Sequence, residues 1–355
     1  MSRAIKGIFI ASLFAIGCSK NGACPDKSDY VGGDPGRNTK QWCEKQLPDG
    51  RIVKDGPYTV WHSATQKKVD GSYKNGKKSG TWTYFYPNGK KREEGAFEAD
   101  EKNGVWTSWA KNGTKVMEGK FSSGKRTGNW LAWYPDGKKK DEGEWKKGKA
   151  DGKWAYWHRN GKVKAQGLRN GNGKFGKWSF FYPNGEKKEE GTFADGSARE
   201  GEWQYWFKTG ELRMIGSFKA DKKEGVFKIM YPDGKPKSEG TWENGKPNGK
   251  WTYWYENEKK KAEGEMAAGK KQGKWTFWYE NGKKKLEGNF EAGNPSDKVK
   301  YWDENGKKMD KPEGDMASID DDDAKEKKTG KEKKSGKKAK ASGKGAPAPT
   351  AADNK

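Results

Sequence analysis

Few side chains in this 355-residue sequence could carry chemistry. It holds 2 His and 3 Cys, too little material for a zinc site with a general base beside it. His62 and His158 would serve in proton transfer only with a nucleophile and an orienting group gathered around them. Each instead stands at a position that Tyr86, Tyr134, Tyr182, Phe207, Tyr231, Tyr255 and Tyr279 fill elsewhere, so both read as substitutions in a packing column. Glu94, Glu142, Glu190, Glu239, Glu263 and Glu287 recur at one phase of the same pattern, where pairing with Lys across strands is a more natural task than acid catalysis. Asp320 to Asp323 could hold a cation loosely, yet they lack the Gly and closing Glu of a calcium loop. The expectation is a chain with no catalytic residue, no cofactor and no metal site.

The composition agrees with that expectation and raises a different question. Lys and Arg number 74 against 50 Asp and Glu, for a formal net charge of +24. Leu, Ile, Val and Phe make up about a tenth of the chain, which with this charge would ordinarily mean disorder. Nineteen Trp and 14 Tyr contradict disorder, because disordered chains are poor in aromatics. A conventional aliphatic-cored enzyme domain is excluded, and the fold must be sought in where the rings recur.

They recur with a fixed period. Gly stands at 56, 80, 104, 128, 152, 176, 201, 225, 249 and 273, eight intervals of 24 residues and one of 25. A second Gly follows each of these by 15 residues, from Gly71 to Gly288. Two residues after the leading Gly stand Tyr58, Trp82, Trp106, Trp130, Trp154, Trp178, Trp203, Phe227, Trp251 and Trp275. A second ring column lies five residues after it (Trp61 through Trp278) and a third seventeen after (Tyr73 through Phe290). Rings confined to fixed columns are a core signature, so their first task is packing.

Each unit reads as a β-hairpin. Trp82-Thr83-Tyr84-Phe85-Tyr86 is rich in strand formers and runs into Asn88-Gly89, a two-residue turn signal. A more polar strand follows, and its Gly95 marks a bulge or a close approach of backbone to a neighbouring ring. A longer return such as Ser122 to Gly128 then leads to the next unit. Tyr84 and Tyr86 face one way and Phe85 the other, so both faces carry rings. No single hairpin buries them, and stability must come from stacking on neighbours. The fold class is therefore all-β, an elongated antiparallel hairpin-repeat meander growing by about 10 Å per unit. Its terminal units drift, as at Thr65-Gln66 and Asp297-Lys298-Val299, and the one inserted residue falls in the turn of Ala194 to Glu200.

Units such as Gly80-Thr-Trp-Thr-Tyr-Phe-Tyr-Pro-Asn-Gly-Lys-Lys-Arg-Glu-Glu-Gly-Ala-Phe resemble MORN-type repeats, in the bacterial form found in YwqK-family toxin-antitoxin antitoxins. The resemblance covers ten repeats and a degenerate eleventh over residues 56–314. It implies a non-catalytic array used for contact with proteins or membranes.

The flanks are different material. Arg3 and Lys6 precede an uncharged stretch from Gly7 to Gly17, too short to span a bilayer and patterned as a secretory leader. Ala15-Ile16-Gly17-Cys18 resembles a bacterial lipoprotein box, which implies removal of residues 1–17 and a lipid on Cys18. By the same resemblance, Ser19 after the Cys favours the outer membrane where two membranes exist. Residues 18–55 read as a linker in which Cys24 and Cys43 could bridge, since exported compartments permit disulfides, or remain free. From residue 315 the aromatics are gone, and Lys325 to Lys355 hold 11 Lys against Glu326, Glu332 and Asp353, reading as a disordered basic tail.

These readings converge on a lipid-anchored envelope protein whose array meets an envelope protein, an anionic polysaccharide or lipid headgroups. Specific nucleic-acid binding is not expected, because no sequence-reading fold is visible. A surface spacer and a toxin-neutralising protein are the alternatives.

Overall fold

The computed structural model describes residues 24–25, 27–296 and 298–312. The leader, Cys18, Asp320 to Asp323 and the basic tail lie outside the described residues. Within them, 25 strands and one 3-10 turn form a single elongated antiparallel meander without an α-helix. Each strand pairs with the next in sequence until the end of the array, where Lys284–Glu291 pairs with both Asn294–Pro295 and Lys300–Trp302.

The two glycine columns meet at one point of each unit. In the strand Lys91–Glu98, Gly95 lies opposite Trp106 and Ala96 opposite Asn103, so Gly104 and Val105 bulge from the facing strand Glu101–Trp109. Gly104 adopts φ +70 with open space where a Cβ would go, so a left-handed backbone is what demands Gly there. Gly95 has no such φ. A Cβ on it would fall inside the Trp106 indole, so what demands Gly is the ring lying flat on the backbone. At the same bulge the Trp106 Nε1–H donates to the Ala96 carbonyl at 2.9 Å. Trp82, Trp130, Trp154, Trp178, Trp203, Trp251 and Trp275 repeat that bond on Ser72, Lys120, Glu144, Leu168, Thr192, Thr241 and Glu265. Bulge, floor and indole thus form one locking device in each of these eight units, with the indole N–H satisfied, while Tyr58 and Phe227 take the ring position in two others.

The turns invert the expectation from sequence. Asn88-Gly89 does not make a two-residue turn. Gly89 N–H donates to Tyr86 C=O at 2.9 Å and Tyr86 N–H to Lys90 C=O at 2.8 Å, which makes a three-residue loop closed by a Gly at φ +79. Pro87 favours this, because its fixed φ suits the first corner of a type I turn. The tight two-residue turns lie at the other edge, as at Asn75-Gly76 and Lys147-Gly148, where both residues have positive φ. The extra residue of the 25-residue interval sits in the 3-10 turn Asp195–Ser197.

Of the segment read as a linker, the described residues 27–55 include strands. Asp29–Gly32, Lys40–Gln46 and Ile52–Trp61 are strands that continue the sheet. Cys24 and Cys43 form a disulfide, and Cys43 is buried. Pro25 lies where a Cβ on Gly56 would go, so this segment closes the open edge of the first repeat. Its strands lack the 24-residue period, which hid them.

Candidate functional site

Strand alternation divides the meander into two faces with different chemistry, and among the described residues no second layer covers either. One face carries the rings two and seventeen residues after the leading Gly. Phe97 and Trp106 meet edge to face at 5.0 Å, Phe121 and Trp130 at 5.1 Å, and Phe193 and Trp203 at 4.9 Å. Trp82, Trp106, Trp130, Trp154, Trp178, Trp203, Trp251 and Trp275 are all buried there. The column four residues after the leading Gly shares this face, a role the sequence reading missed. Where Arg169 and Met266 stand in place of a ring, Tyr156 reaches Trp178 at 6.3 Å and Tyr253 reaches Trp275 at 6.4 Å. Counting by twos from each buried Trp would have found them.

Cations close the ring face. Lys102 Nζ lies 3.7 Å from the Trp106 centroid, Arg126 4.3 Å from Trp130, and Arg199 4.0 Å from Phe218. Burial pushes the Lys78 and Lys174 ammonium groups below their ordinary range, against a smaller opposing pull from Asp100 and Glu189. These side chains roof the fold with their stems and keep their charge over ring faces.

The rings five residues after the leading Gly lie on the opposite face, as the alternation of Tyr84 and Phe85 in the sequence requires. Trp109, Trp133, Trp157, Trp206, Trp254, Trp278 and Trp302 are only half-buried. Beside them runs a column of Lys–Glu pairs: Lys91–Glu94 at 2.5 Å, Lys115–Glu118 at 2.7 Å and Lys139–Glu142 at 2.8 Å. Each such Lys also faces the next unit's ring, with Lys139 4.7 Å from Trp157. In three units a second Lys joins the carboxylate. Glu190 takes Lys177 at 2.8 Å and Lys187 at 3.3 Å, Glu263 takes Lys250 at 3.5 Å and Lys260 at 2.8 Å, and Glu287 takes Lys274 at 3.4 Å and Lys284 at 2.7 Å. Burial works to raise the Glu190 carboxyl, but bonds from Lys177, Ser179 and Lys187 outweigh it and hold it at about 2. Lys260 leads in lowering Glu263, and Lys284 in lowering Glu287. The glutamates are therefore charged partners of lysine and poor proton donors at neutral pH.

The two histidines do the work of tyrosine. Tyr86, Tyr134, Tyr182, Tyr231, Tyr255 and Tyr279 donate their hydroxyls to a carbonyl of the next unit, Tyr86 to Trp109 at 2.9 Å. His62 Nε2 reaches the Phe85 carbonyl at 3.1 Å and His158 Nε2 the Phe181 carbonyl at 3.0 Å, so the proton sits on Nε2 in both. Turn asparagines add a parallel rung, Asn88 Nδ2 donating to Lys111 C=O at 2.9 Å and Asn281 Nδ2 to Glu304 C=O at 2.8 Å. Among the described residues no group of three His, Cys, Asp or Glu side chains is placed to hold a metal ion.

Fold and surface together define a class: a hairpin-repeat protein that packs its rings on one face and presents ion pairs and half-open tryptophans on the other. A family model described as a MORN repeat variant matches residues 78–99, 126–147, 176–195, 199–220, 223–244 and 271–292, so a MORN-type repeat family runs across much of the chain. No curated protein matches. Among solved structures, one titled "Crystal Structure of TcdB2-TccC3 without hypervariable C-terminal region" aligns at 10% identity and a TM-score of 0.17, covering 77% of this chain. The chain spans 16% of that structure's own length, and a likeness this slight carries no argument.

Proposed function

We propose that this chain is a non-catalytic scaffold of the bacterial cell envelope, tethered by a lipid on Cys18, whose array offers an extended surface to an envelope protein, an anionic polysaccharide or lipid headgroups. One observation carries the reading. The repeated polar residues of the array are occupied in holding it together, while the same group of half-buried Trp, Lys and Glu recurs along an uncovered face. Many similar weak contacts along one body act together, because each contact raises the effective concentration for the next. The sequence of the leader supports the tether, and the surplus of Lys supports an acidic partner.

Fractionation of cells carrying wild type or Cys18→Ser, with mass analysis of the N-terminus, followed by pull-down from solubilised envelope at low and moderate salt, tests this. Expected are a mature chain starting at lipidated Cys18, release of the variant from the membrane, and recovery of one partner above background. A soluble chain starting at unmodified Met1 would overturn the tether and favour a toxin-neutralising role. A processed chain that recovers nothing beyond salt-sensitive background would reduce the array to a spacer.

A further inference from the structure

The groups on the open face are not equal. Around Trp109, Trp133 and Trp157 each carboxylate meets one Lys of its own column. At the C-terminal end of the array, Lys250 and Lys260 both meet Glu263, and Lys274 and Lys284 both meet Glu287. Each of these two carboxylates thus has one ammonium in excess, with the exposed Glu265 opposite Lys250 across the strand pair and the neutral Asn289 opposite Lys274. Lys250 and Lys274 are the exposed members, each with 65% of its side chain in water. The same strip carries three consecutive half-buried rings, Trp254, Trp278 and Trp302. Lys260 lies 5.9 Å from the Trp278 centroid and Lys284 5.8 Å from Trp302. Successive rings are two strands apart, or about 10 Å.

From this strip, and resting on the scaffold reading above, we infer a binding track for a linear acidic glycan with about one carboxylate per disaccharide. A sugar presents an apolar C–H face that suits an exposed indole, as other apolar bodies do. Its carboxylate takes the surplus ammonium as a charge-assisted hydrogen bond. Its hydroxyls donate to Glu263 and Glu287, which are held ionised by their lysines and so can only accept. The advance of one unit is close to the length of a disaccharide, so ring, cation and acceptor would meet the same group at each step. The glutamates argue against a single-stranded nucleic acid. Bases would stack on the rings, but a phosphate at every nucleotide would confront a fixed carboxylate in every unit. A bilayer surface has no use for hydroxyl acceptors spaced along a line.

The test is binding of hyaluronate oligosaccharides to the full chain, followed by quenching of Trp fluorescence in moderate salt. A neutral glucan, oligo-dT and anionic phospholipid vesicles are run alongside. Wild type should bind hyaluronate and not the neutral glucan. The double variant Lys250→Gln/Lys274→Gln should lose about tenfold in affinity with a shallower salt dependence, and Trp278→Ala should weaken binding by a similar factor. Lys147→Gln, exposed in a tight turn outside the strip, should leave binding unchanged. Because Lys250 and Lys274 are exposed, unchanged melting of the double variant separates lost binding from lost fold. Equal affinity in the double variant, equal binding of the neutral glucan, or tighter binding of oligo-dT or vesicles would overturn the track. If hyaluronate fails while envelope pull-down still recovers a partner, the glycan is wrong and the scaffold reading stands. If both fail, the scaffold reading falls with it.

Discussion

The two faces of this sheet are built from the same residue types and use them in opposite ways. Around residue 203 the difference can be seen within four positions. Trp203 is 1% exposed, lies on Gly191, donates its indole proton to Thr192 C=O at 3.1 Å and is enclosed by Phe193 and Phe218. Trp206, on the other face, is half-buried and touched by the ammonium of Lys187 at 5.3 Å. One ring has every part of its surface assigned to the fold, while the other keeps an open side. Aromatic content therefore says little about function until each ring is placed on a face.

The largest consequence is in stability. Trp203→Ala should cost about 3–5 kcal/mol, because it removes a buried ring and leaves a carbonyl without its donor. In an array where each unit rests on its neighbours, that loss should open the chain locally, with new protease cuts near residues 191–218. Trp206→Ala should cost about 1 kcal/mol and add no cuts. Equal losses at the two positions, in melting and limited proteolysis, would erase the distinction between the faces.

The glycines sharpen the same comparison. Gly191→Ala would push a methyl group into the Trp203 ring, with an expected cost of about 3 kcal/mol. Gly201 has φ +66 and nothing near the place of its Cβ, so Gly201→Ala should cost about 1–2 kcal/mol through backbone strain alone. A double-mutant cycle with Trp203→Ala separates the causes. Most of the Gly191→Ala penalty should vanish once the ring is gone, and the Gly201→Ala penalty should persist. A Gly191→Ala cost that survives removal of the ring would show that the floor is needed for some other reason.

What could be read from the chain beforehand follows the range of the interactions involved. Strands and period were legible because a unit contacts only itself and its neighbours, so every constraint recurs at 24 residues. Gly95 was read as a bulge or a close approach, and it is involved in both, since Gly104 across from it makes the bulge and Trp106 lies upon it. The turns were misread because Asn88-Gly89 carries the composition of a two-residue turn, while the residue before it joins the loop whether it is Pro87, or Lys111 and Arg159 in other units. The faces were blurred because the bulge shifts pairing between Gly95 and Ala96, so simple counting from one strand does not carry to the next. The strands at Asp29–Gly32 and Lys40–Gln46 recur nowhere, and the ladder pairing and disulfide that hold them leave no period to read. The excess lysines at Glu263 and Glu287 needed three-dimensional pairing, because Lys250 and Lys274 precede their carboxylates by 13 residues in sequence and meet them only across the hairpin.

The smallest expected effect lies on the open face and distinguishes it from the ring face by pH. Glu190 is held at about 2, below its ordinary 4.5, by Lys177, Ser179 and Lys187 acting against the effect of burial. A carboxyl whose folded pKa is depressed adds stability that is fully present above its unfolded pKa and is lost as acid protonates it in the fold. The contribution of Glu190 should therefore be complete above about pH 4.5 and should fade between there and about pH 2. Glu190→Gln removes that term, so the difference in melting temperature between wild type and variant should shrink over this window and be flat from pH 6 to 8. The ring face has no equivalent group at Trp203, where a neutral indole bond does the holding, and Trp203→Ala should show a stability deficit with no such acid-linked component. A wild-type to Glu190→Gln difference that stays constant down to pH 2 would show that the lysine cluster does not hold the carboxylate as the geometry requires.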